Sequence, residues 1–163
     1  MPTIISTGAS TIPEICAAYN LVTQFYNSSD SENNFQTLSK KKIISNKDTA
    51  VLHCVSEYPA PIDEANIKCI NTLINNFNCP IGYSDHCMGI AASLSAIGVG
   101  ASIIEKHFTL DRNLPGPDHK ASINCEELKE MISIIRDMES SFGSSNKNVQ
   151  NSEIKNKVII RRS

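Results

Sequence analysis

Short apolar segments alternate with amphipathic segments along most of this 163-residue chain. Four runs of largely continuous apolar residues, at 3–6, 50–55, 80–83 and 101–105, are typical of strands buried on both faces of a parallel sheet. A pattern of helical period follows each run, at about 12–25, 63–77, 89–99 and 126–142. The order βαβαβαβα predicts a parallel α/β fold, either a doubly wound open sheet or part of a barrel.

Capping signals support the first and last of these helices. Thr11 and Glu14 have the spacing of a capping box, and Asn124 precedes Glu127 by the same three residues. Two polar stretches interrupt the pattern: residues 27–48 predict an enlarged surface loop, and residues 144–163 predict a linker. We therefore expect residues 1–143 to form one α/β unit that is followed by a linker.

Composition argues against several classes of function. The net charge of -2 gives no basic surplus for nucleic acid or an anionic membrane. No apolar run approaches the roughly 20 residues that span a bilayer, and the N-terminus lacks the pattern of a secretory signal. The six cysteines show no C-x-x-C spacing. We expect them to be reduced and mostly buried, in a cytoplasmic protein.

Polar side chains lie at or just after the end of each predicted strand. They include Ser6, Ser56, the run Ser84-Asp85-His86, and the run Glu105-Lys106-His107. In α/β folds ligands bind at the carboxyl edge of the sheet, because the loops that follow the strands converge there. Packing alone does not explain polar groups clustered at one edge of an apolar sheet. We therefore expect a binding site at this edge.

His86 and His107 follow adjacent predicted strands, which lie about 5 Å apart in a sheet, so both imidazoles could reach one ion. Two histidines plus water leave open positions, as a catalytic metal requires, and this donor set suits Mn²⁺, Fe²⁺, Co²⁺ or Zn²⁺. Asp85 could support the ligands from behind or act as a general base. Alternatively, each histidine satisfies only a local hydrogen bond, and the spacing does not decide between these interpretations. His53, in the middle of an apolar strand, is better explained as a hydrogen-bonded core residue.

The segment at 110–122 is stiffened by Pro115 and Pro117 and follows the fourth predicted strand. It presents Asp118, His119 and Lys120 over the same edge of the sheet. A rigid polar loop suits recognition of a polyhydroxylated ligand, although a turn with solvated charges would have the same sequence.

Five segments, in their order and spacing, resemble the sialic acid synthase family: ISTG at 5–8, LHCVSEYP at 52–59, GYSDH at 82–86, IEKHFT at 104–109 and PGPDHKAS at 115–122. They match strands five to eight of that family's barrel. The resemblance therefore implies the second half of a TIM (β/α)₈ barrel, incomplete in this chain. It also implies an enzyme that condenses phosphoenolpyruvate with N-acetylmannosamine to give N-acetylneuraminate and phosphate. Legionaminate or pseudaminate synthase, or a non-catalytic remnant, are the alternatives.

The resemblance further implies the roles of individual residues. His86 and His107 match ligands of a divalent metal, usually Mn²⁺, that polarises the sugar aldehyde as a Lewis acid. Asp85, which its strand-end position and not the resemblance suggests as a general base, joins His86 and His107 as a candidate catalytic residue. The positions that match those holding phosphoenolpyruvate are Ser6, Ser56, Ser84 and Tyr58. Asp118 matches a position that contacts sugar hydroxyls. Ser56 departs from the asparagine of some members, which leaves that contact open.

Two parts of the family's architecture have no counterpart in this sequence. The first half of the barrel supplies a catalytic glutamate and the lysines that neutralise the phosphate, and an antifreeze-like domain follows the barrel. Half a barrel has unpaired sheet edges and an exposed apolar inner face. We therefore expect a fragment that is inactive alone and that associates with a complementing N-terminal half-barrel chain or with itself.

Overall fold

The computed structural model describes residues 2–28 and 48–161 of the chain. Its four strands are β1 (Thr3–Ser6), β2 (Thr49–Cys54), β3 (Ile81–Asp85) and β4 (Ile103–Lys106), and they form one parallel sheet in the order β1-β2-β3-β4. A doubly wound sheet reverses its strand order at a switch point. The four described strands show no such reversal.

Helices follow the strands as the sequence pattern predicts. They are α1 (Ile12–Ser28), α2 (Cys69–Asn76), α3 (Ala91–Gly98) and α4 (Cys125–Phe142), and two single-turn helices, α5 (Asn151–Ile154) and α6 (Lys157–Ile160), come after them. Most of the predicted loop at 27–48 lies outside the described residues, and the division at residue 143 stays a prediction. Within residues 2–28 and 48–161, no helix combines the length and apolar character needed to cross a bilayer.

The second predicted helix begins later than its apolar period indicates. A pattern from residue 63 onward predicts one continuous helix, but the structure has a 3₁₀ turn at Ile62–Glu64 and then α2 from Cys69. Asn66 lies between them with a φ of 44°, in the left-handed region that a right-handed helix cannot pass through. The prediction of a helix start near residue 63 is therefore wrong.

The helices pack against one face of the sheet. Val51 pairs with Ile81, and these two side chains, together with Tyr83 of the same face, belong to one buried core. The helical members of this core are Ile15, Tyr19, Ile70, Leu73, Ala92 and Ala96. Both β2 and β3 are buried at every residue, which explains why their sequences are continuous apolar runs rather than alternating ones. We call this side of the sheet the helix face.

His53 lies on the helix face, in the core position that its sequence context predicts. Its Nε2 donates a hydrogen bond to the carbonyl oxygen of Ala65 at 2.8 Å, and its ring stacks on Tyr83 with centroids 5.6 Å apart. Burial lowers the pKa of His53, and the Ala65 carbonyl opposes that shift only in part. The folded protein therefore favours the neutral imidazole.

The capping box predicted for α4 is confirmed, whereas at α1 only the half contributed by Glu14 is present. Asn124 Oδ1 accepts from the Glu127 amide at 2.9 Å, and the Glu127 carboxylate accepts from the Asn124 amide at 3.0 Å, so the capping box of α4 is complete. At α1 the Glu14 carboxylate accepts from both the amide and the hydroxyl of Thr11. These bonds satisfy amide donors that have no partner inside the helix.

The cysteines are less buried than the sequence suggests. All six are free thiols, as expected, but only Cys54 and Cys87 are buried. Cys16 and Cys79 are half-buried, and Cys69 and Cys125 are exposed. The last two lie in the first turns of α2 and α4, where an apolar neighbourhood in sequence does not fix which side faces the sheet.

We expect His53 to make the fold sensitive to mild acid. Because its folded-state pKa is lowered, its contribution to stability is complete above the unfolded value of about 6.5 and is lost as the pH falls through the folded-state value. A His53→Gln variant can still donate to Ala65 but cannot titrate. Its free energy of unfolding, from urea titrations between pH 8 and 5, should depend less on pH than that of the unsubstituted chain. An equal pH dependence would contradict the assignment.

We expect Asn124→Ala to lower the free energy of unfolding by about 1 kcal/mol, because it removes the capping acceptor at the start of α4. Asn71→Ala is the matched control, since Asn71 is exposed on α2 and its side chain makes no hydrogen bond to the described residues. The control should stay within about 0.5 kcal/mol of the unsubstituted chain. Equal effects at both sites in urea denaturation would show that the box adds no stability.

Candidate active site

The strand register divides the polar residues of the sheet between two faces. Ser84 pairs with Cys54 on one side and with Glu105 on the other, and paired positions of neighbouring parallel strands share a face. Asp85 pairs with Lys106 one position further along. Since side chains alternate along a strand, Ser84 and Glu105 point away from the helices, whereas Asp85 and Lys106 point toward them. We call the side of the sheet that carries Ser84 and Glu105 the open face.

Three aromatic rings meet at the carboxyl edge of the open face. The His86 and His107 rings have centroids 5.6 Å apart at an interplanar angle of 67°. The Tyr58 ring lies 4.0 Å from His86 and 5.2 Å from His107. His86 is buried, whereas Tyr58 is 50% exposed, so the tyrosine covers the two imidazoles on their solvent side. We call these residues the three-ring cluster.

Backbone contacts fix the orientation of His86. Its Nδ1 lies 2.6 Å from the carbonyl oxygen of Val55, and a carbonyl can only accept, so Nδ1 carries the proton. In the neutral ring Nε2 then carries no proton and has a free lone pair, and it lies 3.2 Å from the Ser84 hydroxyl oxygen. The His107 ring contacts the rings of Tyr58 and His86, and it makes no hydrogen bond to the described residues. Both imidazoles can therefore offer a nitrogen lone pair.

Ser84 links the histidine to a carboxylate. Its hydroxyl donates to Glu105 Oε1 at 2.6 Å and lies within reach of His86 Nε2. A hydroxyl has one proton, so it donates to only one of these two acceptors at a time. When another group binds the lone pair of His86, the Ser84 hydroxyl donates its hydrogen bond to Glu105. Sequence reasoning placed Ser84 at the site but did not assign Glu105.

The donor set of the three-ring cluster fits a divalent metal. With metal–nitrogen bonds of about 2.1 Å, two imidazoles that share an ion have centroids roughly 5 Å apart, close to the observed separation. A histidine that binds a metal through one ring nitrogen usually donates a hydrogen bond from the other, as His86 Nδ1 does to the Val55 carbonyl. Among the described residues no group of three or more His, Cys, Asp or Glu side chains is arranged to hold a metal. The described side chains of the three-ring cluster would therefore supply two nitrogen donors to such an ion.

Asp85, predicted as a catalytic carboxylate, does not reach this cluster. Its side chain is fully buried on the helix face, where it accepts from Ser93 Oγ at 2.5 Å and from the Cys87 amide at 2.9 Å. Lys106 Nζ lies 3.0 Å from its second oxygen. Because strands alternate, the carboxylate points to the side opposite His86. The structure thus gives Asp85 three partners, none of which belongs to the three-ring cluster.

Asp118 lies beside an open cavity of about 370 Å³ that His107 and His119 also line. Burial raises the pKa of the Tyr58 phenol, and the nearby negative charges of Asp118 and Glu105 raise it further. His119 Nδ1 lies 2.8 Å from the Thr109 hydroxyl, which holds the ring against the cavity wall. The structure thus places this loop over the site, as predicted.

The two remaining predicted residues lie at the same edge but farther along the sheet. Ser6 ends β1 in register with Leu52, two strands from β3, and is exposed. Ser56 follows β2, and its hydroxyl lies against Gly8. A Cβ added at Gly8 would stand 1.9 Å from the Ser56 oxygen. The loops after β1 and β2 can therefore meet only because residue 8 has no side chain.

The floor of the open face is shaped by Gly82. A Cβ there would lie 2.5 Å from the Leu52 side chain and 2.6 Å from the Ile103 carbonyl oxygen. Leu52 itself is fully buried. The glycine thus lets Leu52 fill the space below Ser84, and the site has an apolar base.

Arg112 ties the loop at 110–122 to the start of α4. Its Nε donates to the Ser122 carbonyl at 3.0 Å, and its guanidinium pairs with the Glu127 carboxylate. The same carboxylate completes the capping box with Asn124. The pKa of Glu127 lies below its usual value, mainly because Arg112 donates a hydrogen bond to the carboxylate and secondly because the Asn124 amide does.

The NeuB family model matches residues 1–147. The N,N'-diacetyllegionaminic acid synthase of Legionella pneumophila is 40% identical over 163 residues, which are 100% of this chain and 42% of that protein. Mouse N-acetylneuraminate-9-phosphate synthase is 40% identical over 103 residues, 63% of this chain and 29% of that protein. This chain thus spans less than half the length of the relatives it matches.

Among solved structures, the N-acetylneuraminic acid (sialic acid) synthetase of Leptospira borgpetersenii, crystallised with citrate, matches with a TM-score of 0.76 and 32% identity. The match covers 99% of this chain and 49% of that one. The parallel α/β fold described above is therefore similar to that of sialic acid synthase structures.

We expect Arg112→Gln to raise the pKa of Glu127 toward 4.5, because it removes the largest cause of the lowered value. A depressed carboxyl pKa adds stability that is present above the unfolded value and lost as the pH falls, so the variant should lose less stability between pH 5 and 3. NMR titration of the Glu127 carboxyl measures the first effect. Arg136→Gln, at an exposed pair with Glu139, is the control. A Glu127 titration unchanged in Arg112→Gln would refute the tether.

Proposed function

This chain belongs to the NeuB family, and on that premise we propose that it takes part in condensing phosphoenolpyruvate with N-acetylmannosamine to give N-acetylneuraminate and phosphate. The observation that carries the proposal is the convergence of His86 and His107 under Tyr58 at the carboxyl edge of the sheet. Two imidazoles with free lone pairs, an open cavity and a carboxylate at its wall suit a metal-assisted addition to a sugar aldehyde.

The reaction forms one carbon–carbon bond and exchanges one carbon–oxygen bond for another at carbon 2 of phosphoenolpyruvate. Carbon 3 of phosphoenolpyruvate attacks the aldehyde carbon of the open-chain sugar, and the aldehyde oxygen takes up a proton. Water adds to carbon 2 of phosphoenolpyruvate, and phosphate leaves from the same carbon. The products are a nine-carbon sugar acid and inorganic phosphate, with no change in overall oxidation state.

The proposal assigns each part of this reaction to residues of the site. His86 and His107 would hold a divalent metal, with Mn²⁺ as the first candidate, and a bound metal supplies Lewis-acid polarisation of an oxygen. Ser84, whose hydroxyl proton is donated to Glu105, offers its oxygen as an acceptor beside the ring nitrogen of His86. Asp118, at the cavity wall, is placed to accept hydrogen bonds from sugar hydroxyls.

Other serines complete the proposed binding edge. Ser6 and Ser56 are exposed donors at the ends of the two strands before β3, and Tyr58 adds a phenol over the imidazoles. With Ser84 they form a row of hydroxyls that could bind the carboxylate and phosphate of phosphoenolpyruvate. Asp85 has no place in this assignment, because its oxygens are engaged on the helix face.

A second candidate product is N,N'-diacetyllegionaminate. The relative with that activity in Legionella pneumophila is 40% identical over the whole of this chain, which favours it as a specific alternative. Its acceptor would be a six-carbon sugar with two acetamido groups. The chemistry at the reacting carbons is the same for both acceptors, so the difference lies in what contacts the sugar hydroxyls and amides.

We also propose the assembly and setting in which this chemistry occurs. The four strands, wound consecutively and in parallel, would be strands five to eight of a (β/α)₈ barrel. The partner would be a chain with the complementary half-barrel, or a second copy of this chain. The setting would be the cytoplasm, where phosphoenolpyruvate is made.

The test is an assay of sugar acid formation by mass spectrometry with Mn²⁺, phosphoenolpyruvate and each acceptor. One arm uses the chain alone, and a second adds a chain that supplies the part of a NeuB relative outside the matched region. We expect product in the second arm, and a loss of at least about 100-fold in His86→Ala and His107→Ala, because each removes a proposed metal ligand.

His53→Gln is the control at pH 8, since it replaces a histidine on the helix face, away from the three-ring cluster. It should keep the activity of the unsubstituted chain. Product formation that survives both alanine substitutions, or that is absent from both arms with every acceptor, would sink the proposed function.

A further inference from the structure

A buried ion pair lies directly behind the two histidines. Lys106 Nζ is 3.0 Å from Asp85 Oδ2, and the two side chains are 4% and 0% exposed. Asp85 precedes His86 at the end of β3, and Lys106 precedes His107 at the end of β4. The two charged residues are themselves a registered pair of the sheet. Each proposed ligand therefore follows one member of the pair in sequence.

Both members of this pair also hold the backbone just after His86. The amide of Cys87 donates to Asp85 Oδ1 at 2.9 Å, and the carbonyl of Cys87 accepts from Lys106 Nζ at 2.8 Å. Cys87 is 1% exposed, so neither group can exchange these partners for water. We call the contacts of Asp85 and Lys106 with each other and with the Cys87 backbone the clamp.

The clamp links strand β4 to the segment that follows strand β3. His86 lies between two residues whose positions the clamp fixes, and its own carbonyl accepts from the Ala60 amide at 3.0 Å. A change in Lys106 would remove the side-chain hydrogen bond that joins β4 to the Cys87 backbone.

We propose that Lys106 and Asp85 are positioning residues that set the separation of the His86 and His107 rings. The idea rests on the proposed function in that the rings are the metal ligands, but the clamp itself is defined without a metal. A buried pair retained for spacing differs from one retained for stability, because neutral replacements can keep the fold while losing the spacing. The experiment separates these two roles.

The first measurement is the nuclear Overhauser effect between the ring protons of His86 and His107 in the 17.8 kDa chain without added metal. The test variants are Lys106→Met and the double variant Lys106→Met/Asp85→Asn, which leaves no unpaired buried charge. Ser93→Ala is the matched control, because it removes a hydrogen bond to Asp85 from α3 but keeps both contacts with Cys87. We expect the inter-ring effect to be lost in the test variants and kept in the control.

The second measurement is Mn²⁺ affinity, from the electron paramagnetic resonance of the free ion. We expect affinity to fall about 10- to 100-fold in the double variant, the usual effect of disturbing groups behind metal ligands, and to stay within twofold in Ser93→Ala. The absorption spectrum of bound Co²⁺ should change in the double variant as well, because it reports the geometry of the ligands.

Every outcome decides the proposal. A folded double variant that keeps the inter-ring effect would overturn it. So would a double variant that does not fold, because the pair would then serve stability alone. If the unsubstituted chain shows the inter-ring effect but binds neither Mn²⁺ nor Co²⁺, the metal site of the proposed function is wrong, while loss of the effect in the variants would still establish the clamp.

Discussion

The alternation of side chains at the ends of β3 and β4 is the constraint on which the site depends. Because the two strands are in register, each step along them places one residue of each strand on the open face and the next on the helix face. Ser84 and Glu105 go to one side, Asp85 and Lys106 to the other. A shift of register by one residue would exchange these sets and dismantle both the site and the core.

The two sides have opposite requirements, and the structure meets both with adjacent residues. On the helix face, the charges of Asp85 and Lys106 are buried and therefore need each other and a backbone partner. On the open face, the rings of His86 and His107 contact each other and Tyr58, and each can offer a nitrogen lone pair. The three residues at 84–86 and the three at 105–107 thus supply both the buried ion pair on the helix face and the polar groups on the open face.

Much of this arrangement can be predicted from local sequence. The apolar runs identify the four strands, the capping spacing identifies the start of α4, and strand-end polar residues identify the edge that carries the site. The local sequence pattern does not predict where α2 begins or where β3 ends, because a backbone angle sets the first and pairing with β4 sets the second. The left-handed φ of Asn66 delays α2, although the apolar period begins earlier. The third strand extends to Asp85 rather than Tyr83, and only that extension shows that Asp85 and His86 point apart.

The roles of Glu105 and Lys106 were missed for the same reason. Both are charged residues in a strand-end run, and sequence alone gives them equal access to solvent and to the site. The register with β3 sends Glu105 to the Ser84 hydroxyl and Lys106 to the Asp85 carboxylate. Counting alternate positions back from His107 would have separated them, provided that the end of the strand was known.

Glu127 serves two structures at once, since one carboxylate both caps α4 and receives the guanidinium that anchors the segment at 110–122. Sharing an acceptor makes the order of the helix terminus and the order of the segment thermodynamically coupled, and such coupling is reciprocal. Disorder of the segment would thus remove one partner of the carboxylate that caps α4, and fraying of α4 would remove the acceptor of Arg112.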